Sequence, residues 1–334
     1  MAVGSSLNRM SASATHSMVA IRSALRSELE KVEPGEKIIV ACSGGADSLA
    51  LSFALSAEAK ERAIQVIGVT VDHQLQPGSG EQAQRVVDQL RHMGIQLCDI
   101  AKVDVSLTDG LEASARRARY EALDAACQRH GARKVFLGHT RDDQAESVLL
   151  GLARGSGTRS LSAMATESGK YVRPLLGITR EQTVSACREE GLVVWHDPHN
   201  EDPKFLRSRV RTQVLPFLEE KIGPGIAGAL ARSASLLRDD ADALDEWAMS
   251  EFEKLDPASM DIAALTLLPR AVRSRVIRAA IYAIGAPPGS ISLEHINPIE
   301  ALVTSWSGQG VVSLPGGVKA ERLSGRLSLS TPSN

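Results

Sequence analysis

I-I-V-A-C-S-G-G-A-D-S, residues 38–48, decides the fold of this chain. An apolar run ending at Cys42 enters Ser43-Gly44-Gly45-Ala46-Asp47-Ser48, and an amphipathic segment, Leu49 to Ala59, leaves it. That order predicts strand, tight turn and helix. Adjacent glycines let the backbone approach a ligand where a Cβ would clash. The amides of the turn and of the helix start point at one spot and favour an anion there. Ser43 and Ser48 add hydroxyl donors, and Asp47 is suited to hold a magnesium ion beside bound phosphate. The plainer alternative is a Gly-Gly turn capped by Asp and Ser, common between a strand and a helix. The strand–turn–helix context favours the phosphate reading. No lysine follows the glycines, which excludes a G-x-x-x-x-G-K-[ST] loop, and the dinucleotide pattern G-x-G-x-x-G is also absent here.

Outward from this loop, apolar strands alternate with helices. A helix over Met18 to Val32 precedes the first strand and is broken by Pro34-Gly35. Ala63 to Val71 reads as a second strand ending at Asp72-His73, followed by a helix over Glu81 to His92. Gln96 to Val103 is a third strand, Leu111 to His130 a long helix, and Val135 to Leu137 a short strand ending at Gly138-His139. A helix through Asp142 to Ala153 comes next. This alternation indicates an α/β fold with a doubly wound parallel sheet. Ligands bind such sheets at the strand C-terminal ends. The loop 43–48, Asp72, His73 and His139 therefore fall on one rim.

His139, Asp143 and Glu146 are spaced four and three apart, which puts them on one face if the segment is helical. Ala145, Val148, Leu149 and Leu152 then share the core side. An acidic helix start is ordinary by itself, since carboxylates favour the first turn. Beside a phosphate loop it becomes the better catalytic candidate. Gly155-Ser156-Gly157 marks the exit turn. Arg116 and Arg119 lie in a basic helix that from its residues alone reads slightly better as a surface helix with a Glu112–Arg116 pair than as a phosphate-facing one. Lys204, Arg207, Arg209 and Arg211 are four positive charges with no acid between them, either a solvated helix start or a salt-sensitive patch for RNA. Trp195 and Phe205 flank that patch, as core residues or as platforms for bases.

The chain has 334 residues, enough for two domains. Hydrophobic content of 43% and charged content of 23% are those of an ordinary globular protein, and no apolar run reaches membrane-spanning length. Residues 1–17, rich in Ser and Ala without an apolar stretch, read as a disordered leader. Four scattered cysteines form no C-x-x-C, which argues against a metal or redox pair and for a reducing cytoplasm. A net charge of −2 provides no global field for nucleic acid, so any RNA contact must be local. The expected organisation is a catalytic domain over 18–222, a helical linker over 223–258 starting at a Pro224-Gly225 hinge, and a helical domain over 259–334. That last domain carries surface arginines at 270, 273, 275 and 278 and ends in a short β tail.

S-G-G-A-D-S (43–48) looks like the pyrophosphate loop of the PP-loop, or N-type, ATP pyrophosphatases, a Rossmann-like fold. The motifs V-D-H (71–73), E-A-S-A-R-R-A-R-Y (112–120), G-H-T-R-D-D-Q-A-E-S (138–147), R-G-S-G (154–157), R-P-L-L (173–176), D-P-H-N (197–200) and F-L-R-S-R-V-R (205–211) follow in order. Together they resemble the bacterial tRNA(Ile)-lysidine synthetases, closely over about residues 34–218. Ser147 stands where that family usually has Thr, and His199 where it usually has Ser. The resemblance implies that ATP adenylates C2 of the wobble cytidine in an isoleucine tRNA with a CAU anticodon. Free L-lysine then displaces AMP, and codon specificity changes from AUG to AUA. It implies ATP and magnesium at Ser43, Gly44, Gly45, Ala46, Asp47 and Ser48, with Asp72 and His73 beside the nucleotide. Asp47, His139, Asp143 and Glu146 would be catalytic, the last two handling lysine or metal. Arg116, Arg119, Lys204, Arg207, Arg209 and Arg211 would hold tRNA. A homodimer stays open, and no membrane partner is expected. A tRNA thiolase, an amide-forming ligase and a nucleotide- or RNA-binding module without catalysis are the rivals. Pyrophosphate release that needs both tRNA and lysine separates all four.

Overall fold

The computed structural model describes residues 4–74, 76–104, 110–155, 157–198 and 202–331. Ser156 of the expected exit turn and His199 and Asn200 of D-P-H-N lie outside the described residues. The chain divides into two compact units, Met1–Leu236 and Leu237–Asn334.

The first unit opens with α1 (Gly4–Leu29). This helix takes in residues 4–17, read above as a leader, because neither glycine nor proline interrupts the chain between Ser5 and Glu33. Ser17 and Met18 of this helix are buried. The elements then run β1 (Lys37–Ala41), α2 (Ala46–Glu61), β2 (Gln65–Asp72), α3 (Ser79–His92), β3 (Leu97–Lys102), α4 (Leu111–His130), β4 (Lys134–Leu137), α5 (Arg141–Ala153), α6 (Thr158–Leu161), β5 (Glu167–Ser168) and β6 (Tyr171–Val172). A 3-10 turn (Pro174–Gly177) and α7 (Arg180–Glu189) follow. Next, α8 (Leu206–Arg209) passes through a π turn (Val210–Val214) into α9 (Leu215–Lys221).

The six strands lie in the order β3-β2-β1-β4-β6-β5. All pairings are parallel except that of β5 with β6. The strand order reverses direction between β1 and β4, and such a switch point is where open α/β sheets bind ligands. Ile38, Ile39 and Val40 of β1 have no exposed surface. Ile38 and Val40 join the core formed with α1, α2, α3 and α7, whereas Ile39 joins the opposite core with Leu123 and Cys127 of α4. Each such side chain contributes about 1.5–3 kcal/mol by burial. Coverage of both faces explains why the strands read as continuous apolar runs rather than alternating ones.

The π turn has a packing cause. Val210 and Leu215 are five residues apart and share one buried apolar cluster with Ala145. In a regular α-helix, five residues turn the chain about 140° past a full circle and would separate them. A π turn brings them to one side.

Helix α10 (Ile226–Phe252) contains the division between the units. The expected boundaries at 222 and 258 fall on either side of that division. The second unit continues with β7 (Ser259–Asp261), α11 (Ile262–Leu267), α12 (Arg270–Ile284), α13 (Leu293–Thr304), β8 (Val312–Ser313), β9 (Lys319–Leu323) and β10 (Arg326–Ser330). Its antiparallel sheet runs β7-β10-β9-β8. Val272, Val276 and Ala280, at helical spacing on α12, pack against Ile296 and Ile299 of α13. Arg273 was expected on the surface. It is buried, with Nε and Nη2 donating to Glu300 Oε2 at 3.0 and 2.8 Å.

Candidate active site

The glycine loop follows β1 and ends in α2, and its shape is set by close approaches. Gly44 has φ of +84°, and a Cβ there would lie 2.7 Å from Val86 Cγ2. Its carbonyl accepts from the Trp195 amide at 2.9 Å, which ties the segment after α7 to the loop. Ser48 Oγ accepts from Ser43 N at 3.1 Å and donates to Gly45 O at 2.9 Å. The Ser48 hydroxyl thus holds the loop's own backbone, and the exposed Ser43 is the hydroxyl open to a ligand. No side chain among the described residues caps α2, whose N-cap is Gly45. The helix start therefore offers unsatisfied amides and a positive dipole end, which suits phosphate.

Across the switch point, β4 delivers Gly138, His139 and Thr140. A Cβ at Gly138 would lie 2.9 Å from the carbonyl carbon and oxygen of Asp47, so these two rim segments touch through backbone. Thr140 is the N-cap of α5 and leaves His139 in the turn before the helix, not on its face as the spacing suggested. Asp143 Oδ2 accepts from Thr140 N at 2.8 Å and Thr140 Oγ1 at 3.0 Å, closing a capping box. Glu146 has no exposed side-chain surface. Ala145 and Val148 face the core as expected, but Leu152 is exposed because it lies in the last turn of α5.

Three arginines meet these acids. Arg211 donates from Nε to Glu146 Oε1 at 2.6 Å and from Nη2 to Glu146 Oε2 at 3.0 Å. Arg207 donates from Nε to Glu146 Oε2 at 2.7 Å. Asp143 Oδ1 receives Arg211, Arg207 and Arg180 Nη2 atoms at 3.0, 3.2 and 3.5 Å. Arg180 Nη2 also reaches Asp47 Oδ2 at 3.2 Å, and Thr183 Oγ1 donates to Asp47 Oδ1 at 2.5 Å. Asp47, Asp143 and Glu146 are thereby matched by three guanidinium groups. Of the basic patch read from sequence, Arg207 and Arg211 turn inward to these acids, whereas Lys204 and Arg209 are exposed.

The electrostatics follow from this arrangement. Burial by itself would raise Asp143, but Arg207, Arg180, His139 and Arg211 bring it down to about 2. Asp47 goes the other way, raised by burial and by Asp143 against the pull of Arg180 and Thr183. Burial pushes His139 down to about 3, with Asp143 pulling it up and Arg173, Arg207 and Arg116 adding to the fall, so the imidazole is neutral at pH 7. His73, at the end of β2, is pushed to about 4 by burial and by Arg119. Nδ1 of His73, Nδ1 of His139 and Nε of Arg173 are buried with no partner among the described residues. Asp72 Oδ1 accepts from Gln74 N at 2.9 Å and shapes the turn after β2. Arg116 and Arg119 are exposed on α4. The Arg116 guanidinium lies 5.1 Å from the centroid of the Tyr120 ring, and Tyr120 Oη also accepts from Arg173 Nη2 at 3.4 Å.

Sequence reasoning passed over Arg180, Thr183 and Arg173. Arg180 carried one signal. It occupies the first position of α7, where a cation opposes the helix dipole and needs carboxylates to hold it.

Fold and loop together define a PP-loop domain, and that family matches residues 17–218. The TilS substrate binding domain matches residues 260–328. The chain is 52% identical over 295 residues to the tRNA(Ile)-lysidine synthase of Streptomyces coelicolor, covering 87% of this chain and 84% of that protein. It is 48% identical over 312 residues to the tRNA(Ile)-lysidine synthase of Thermobifida fusca, covering 93% and 96%. The chain belongs to the tRNA(Ile)-lysidine synthase family. Among solved structures, a U34-tRNA thiolase from Methanococcus maripaludis is similar with a TM-score of 0.57 at 17% identity, over 69% of this chain and 80% of that one. That likeness concerns the fold alone. The four cysteines here are free. No group of three His, Cys, Asp or Glu suited to a metal occurs among the described residues.

Proposed function

We propose that this chain joins free lysine to C2 of the wobble cytidine of isoleucine tRNA with a CAU anticodon, forming AMP and pyrophosphate from ATP. The observation that carries the proposal is the meeting, through Asp47, of an uncapped glycine loop with a cluster of buried acids and arginines.

A pyrimidine oxygen leaves poorly. Attack of the C2 oxygen on the α-phosphorus of ATP expels pyrophosphate and turns that oxygen into part of a good leaving group. The amine of lysine then attacks C2, AMP departs, and the amine loses a proton. The loop 43–48 holds the phosphates by its backbone amides, which act best where charge develops. Magnesium fits as an ion carried in with ATP, since one carboxylate plus phosphate oxygens is a common arrangement for it. Asp47 is the residue that would hold it, and the ion would offset charge on the leaving pyrophosphate.

A carboxylate held near 2 binds an ammonium well but is a poor base. Asp143, with Glu146, therefore holds a protonated amine of lysine and does not take the proton of the attacking one. Lysine has two amines. The one at the carboxylates stays charged, and the other is the nucleophile. His139, neutral and with Nδ1 unpartnered among the described residues, is available to hydrogen-bond a substrate. Exposed Arg116, Arg119, Lys204 and Arg209 contact tRNA phosphates. The four free thiols suit a reducing cytoplasm, and no helix among the described residues is long and apolar enough to cross a membrane.

The test is incorporation of labelled lysine into an isoleucine tRNA transcript with ATP and magnesium, with methionine tRNA as control. Incorporation into the isoleucine tRNA alone is expected. ATP cleavage to AMP and pyrophosphate without lysine transfer would overturn the acceptor chemistry and leave the nucleotide site standing.

A further inference from the structure

We propose that Arg180 is a positioning residue that couples the two halves of the site. It passes from Asp47 and Asp143 to bound phosphate when the glycine loop fills, and its departure opens Asp143 to an ammonium ion. This rests on the reading of ATP and lysine as the small substrates.

The contacts of Asp143 make the case. One oxygen, Oδ2, is committed to the capping box of α5. The other, Oδ1, takes three guanidinium contacts at 3.0, 3.2 and 3.5 Å. A carboxylate oxygen has roughly two lone-pair sites, so Oδ1 is oversubscribed and has no place for a fourth cation. Glu146 holds Arg207 and Arg211 and has no exposed side-chain surface, so it offers an incoming ammonium no approach. An ammonium therefore enters only when an arginine leaves.

Arg180 is the one placed to leave. Its contact with Asp143 is the longest of the three. Arg207 and Arg211 are each anchored through Nε on the fully buried Glu146, whereas the side chain of Arg180 touches only Asp47 and Asp143 among these acids. Its backbone N donates to Asp142 Oδ2 at 2.8 Å, so α7 stays docked while the side chain moves. Asp47 belongs to the phosphate loop itself, and a phosphate offers the same fork geometry with more charge than a carboxylate. Leaving the first turn of α7 also relieves an unfavourable interaction with the helix dipole.

Charge balance gives the direction. Three acids and three arginines cancel in the structure. An ammonium alone leaves the cluster positive, and a phosphate alone leaves it negative. With Arg180 drawn to phosphate, two arginines face three acids, and one ammonium restores the balance at the carboxylates, so each ligand aids the other. Linkage requires the two effects to be equal in size.

The experiment is calorimetric titration of the full chain with lysine, with and without saturating pyrophosphate. Lysine is expected to bind about tenfold tighter with pyrophosphate present, inside the range usual for coupled sites. Arg180→Gln is expected to bind lysine equally in both states, and Arg180→Lys, which keeps the charge without the fork, to fall between. Thermal melting checks that the variants fold, and the lysine variant keeps the test decisive where the glutamine variant does not. Lysine affinity indifferent to pyrophosphate in the unaltered protein overturns the inference, as does coupling undiminished in both variants. Pyrophosphate binding with no lysine binding in either state overturns the lysine reading itself and this inference with it.

Discussion

Gly138→Ala tests whether the contact between the two rim segments sets the position of the phosphate loop. The added Cβ would lie 2.9 Å from the carbonyl carbon and oxygen of Asp47 and 3.0 Å from Ser48 Cα. These are backbone atoms at the start of a buried helix and have no rotamer through which to yield. Ordinary contact begins at 3.4 Å, so β4 and the start of α2 must part by about half an ångström. Overpacking of this kind costs about 1–3 kcal/mol. A displacement near 1 Å at reacting groups costs about 10²-fold in rate, so half of that is expected to lower kcat by about tenfold. The assay is tRNA- and lysine-dependent pyrophosphate release, beside a thermal melt. Gly177→Ala is the control, since a Cβ there meets nothing within 4 Å and its φ is not positive. Unchanged kcat and melting temperature in Gly138→Ala would refute the reasoning.

Three further outcomes are expected. Glu146→Ala leaves Arg207 and Arg211 without their anchor and should cost about 3 kcal/mol in a urea melt, at the low end for a broken buried pair because both arginines keep some water contact. Arg273→Ala in the second unit strands Glu300, whose Oε1 already has no partner among the described residues, and should cost about 3–5 kcal/mol. Replacing both by Met and Leu should recover most of that loss in the same melt. His139 is held at about 3 when folded, below its ordinary value near 6.5. Between those two values the unfolded chain binds more protons, so stability falls as pH drops through that window. His139→Gln should remove its share of the fall, most clearly between pH 6.5 and 4.5, where Asp143 does not yet titrate, and leave that of His73, held at about 4.

The loop after β1 and the rim it belongs to were legible because local rules govern them. A short apolar run, two glycines and a helix can be met in few ways, and α4 begins and ends where its pattern does. His139 was placed a turn too far along because Thr140, three residues before Asp143, caps the helix. That T-x-x-D spacing was there to be read. The inward turn of Arg207 and Arg211 had no such local sign. Their partners lie more than 60 residues away, and a run of arginines looks the same whether it faces RNA or acids. Arg273 misled for the same reason, its partner Glu300 lying on another helix.

The π turn between α8 and α9 makes the length of this helix a fixed quantity. Removing one residue from Val210–Val214 would restore regular hydrogen bonding and, in an isolated peptide, a better helix. In the protein it would force a choice of register. Either Val210 and Leu215 could not both stay in the cluster with Ala145, or Arg207 and Arg211 could not both reach Glu146. Substitutions along this segment can be repaired by neighbours, but a one-codon deletion cannot. A survey of variants that retain activity should therefore find many point changes here and no change of length.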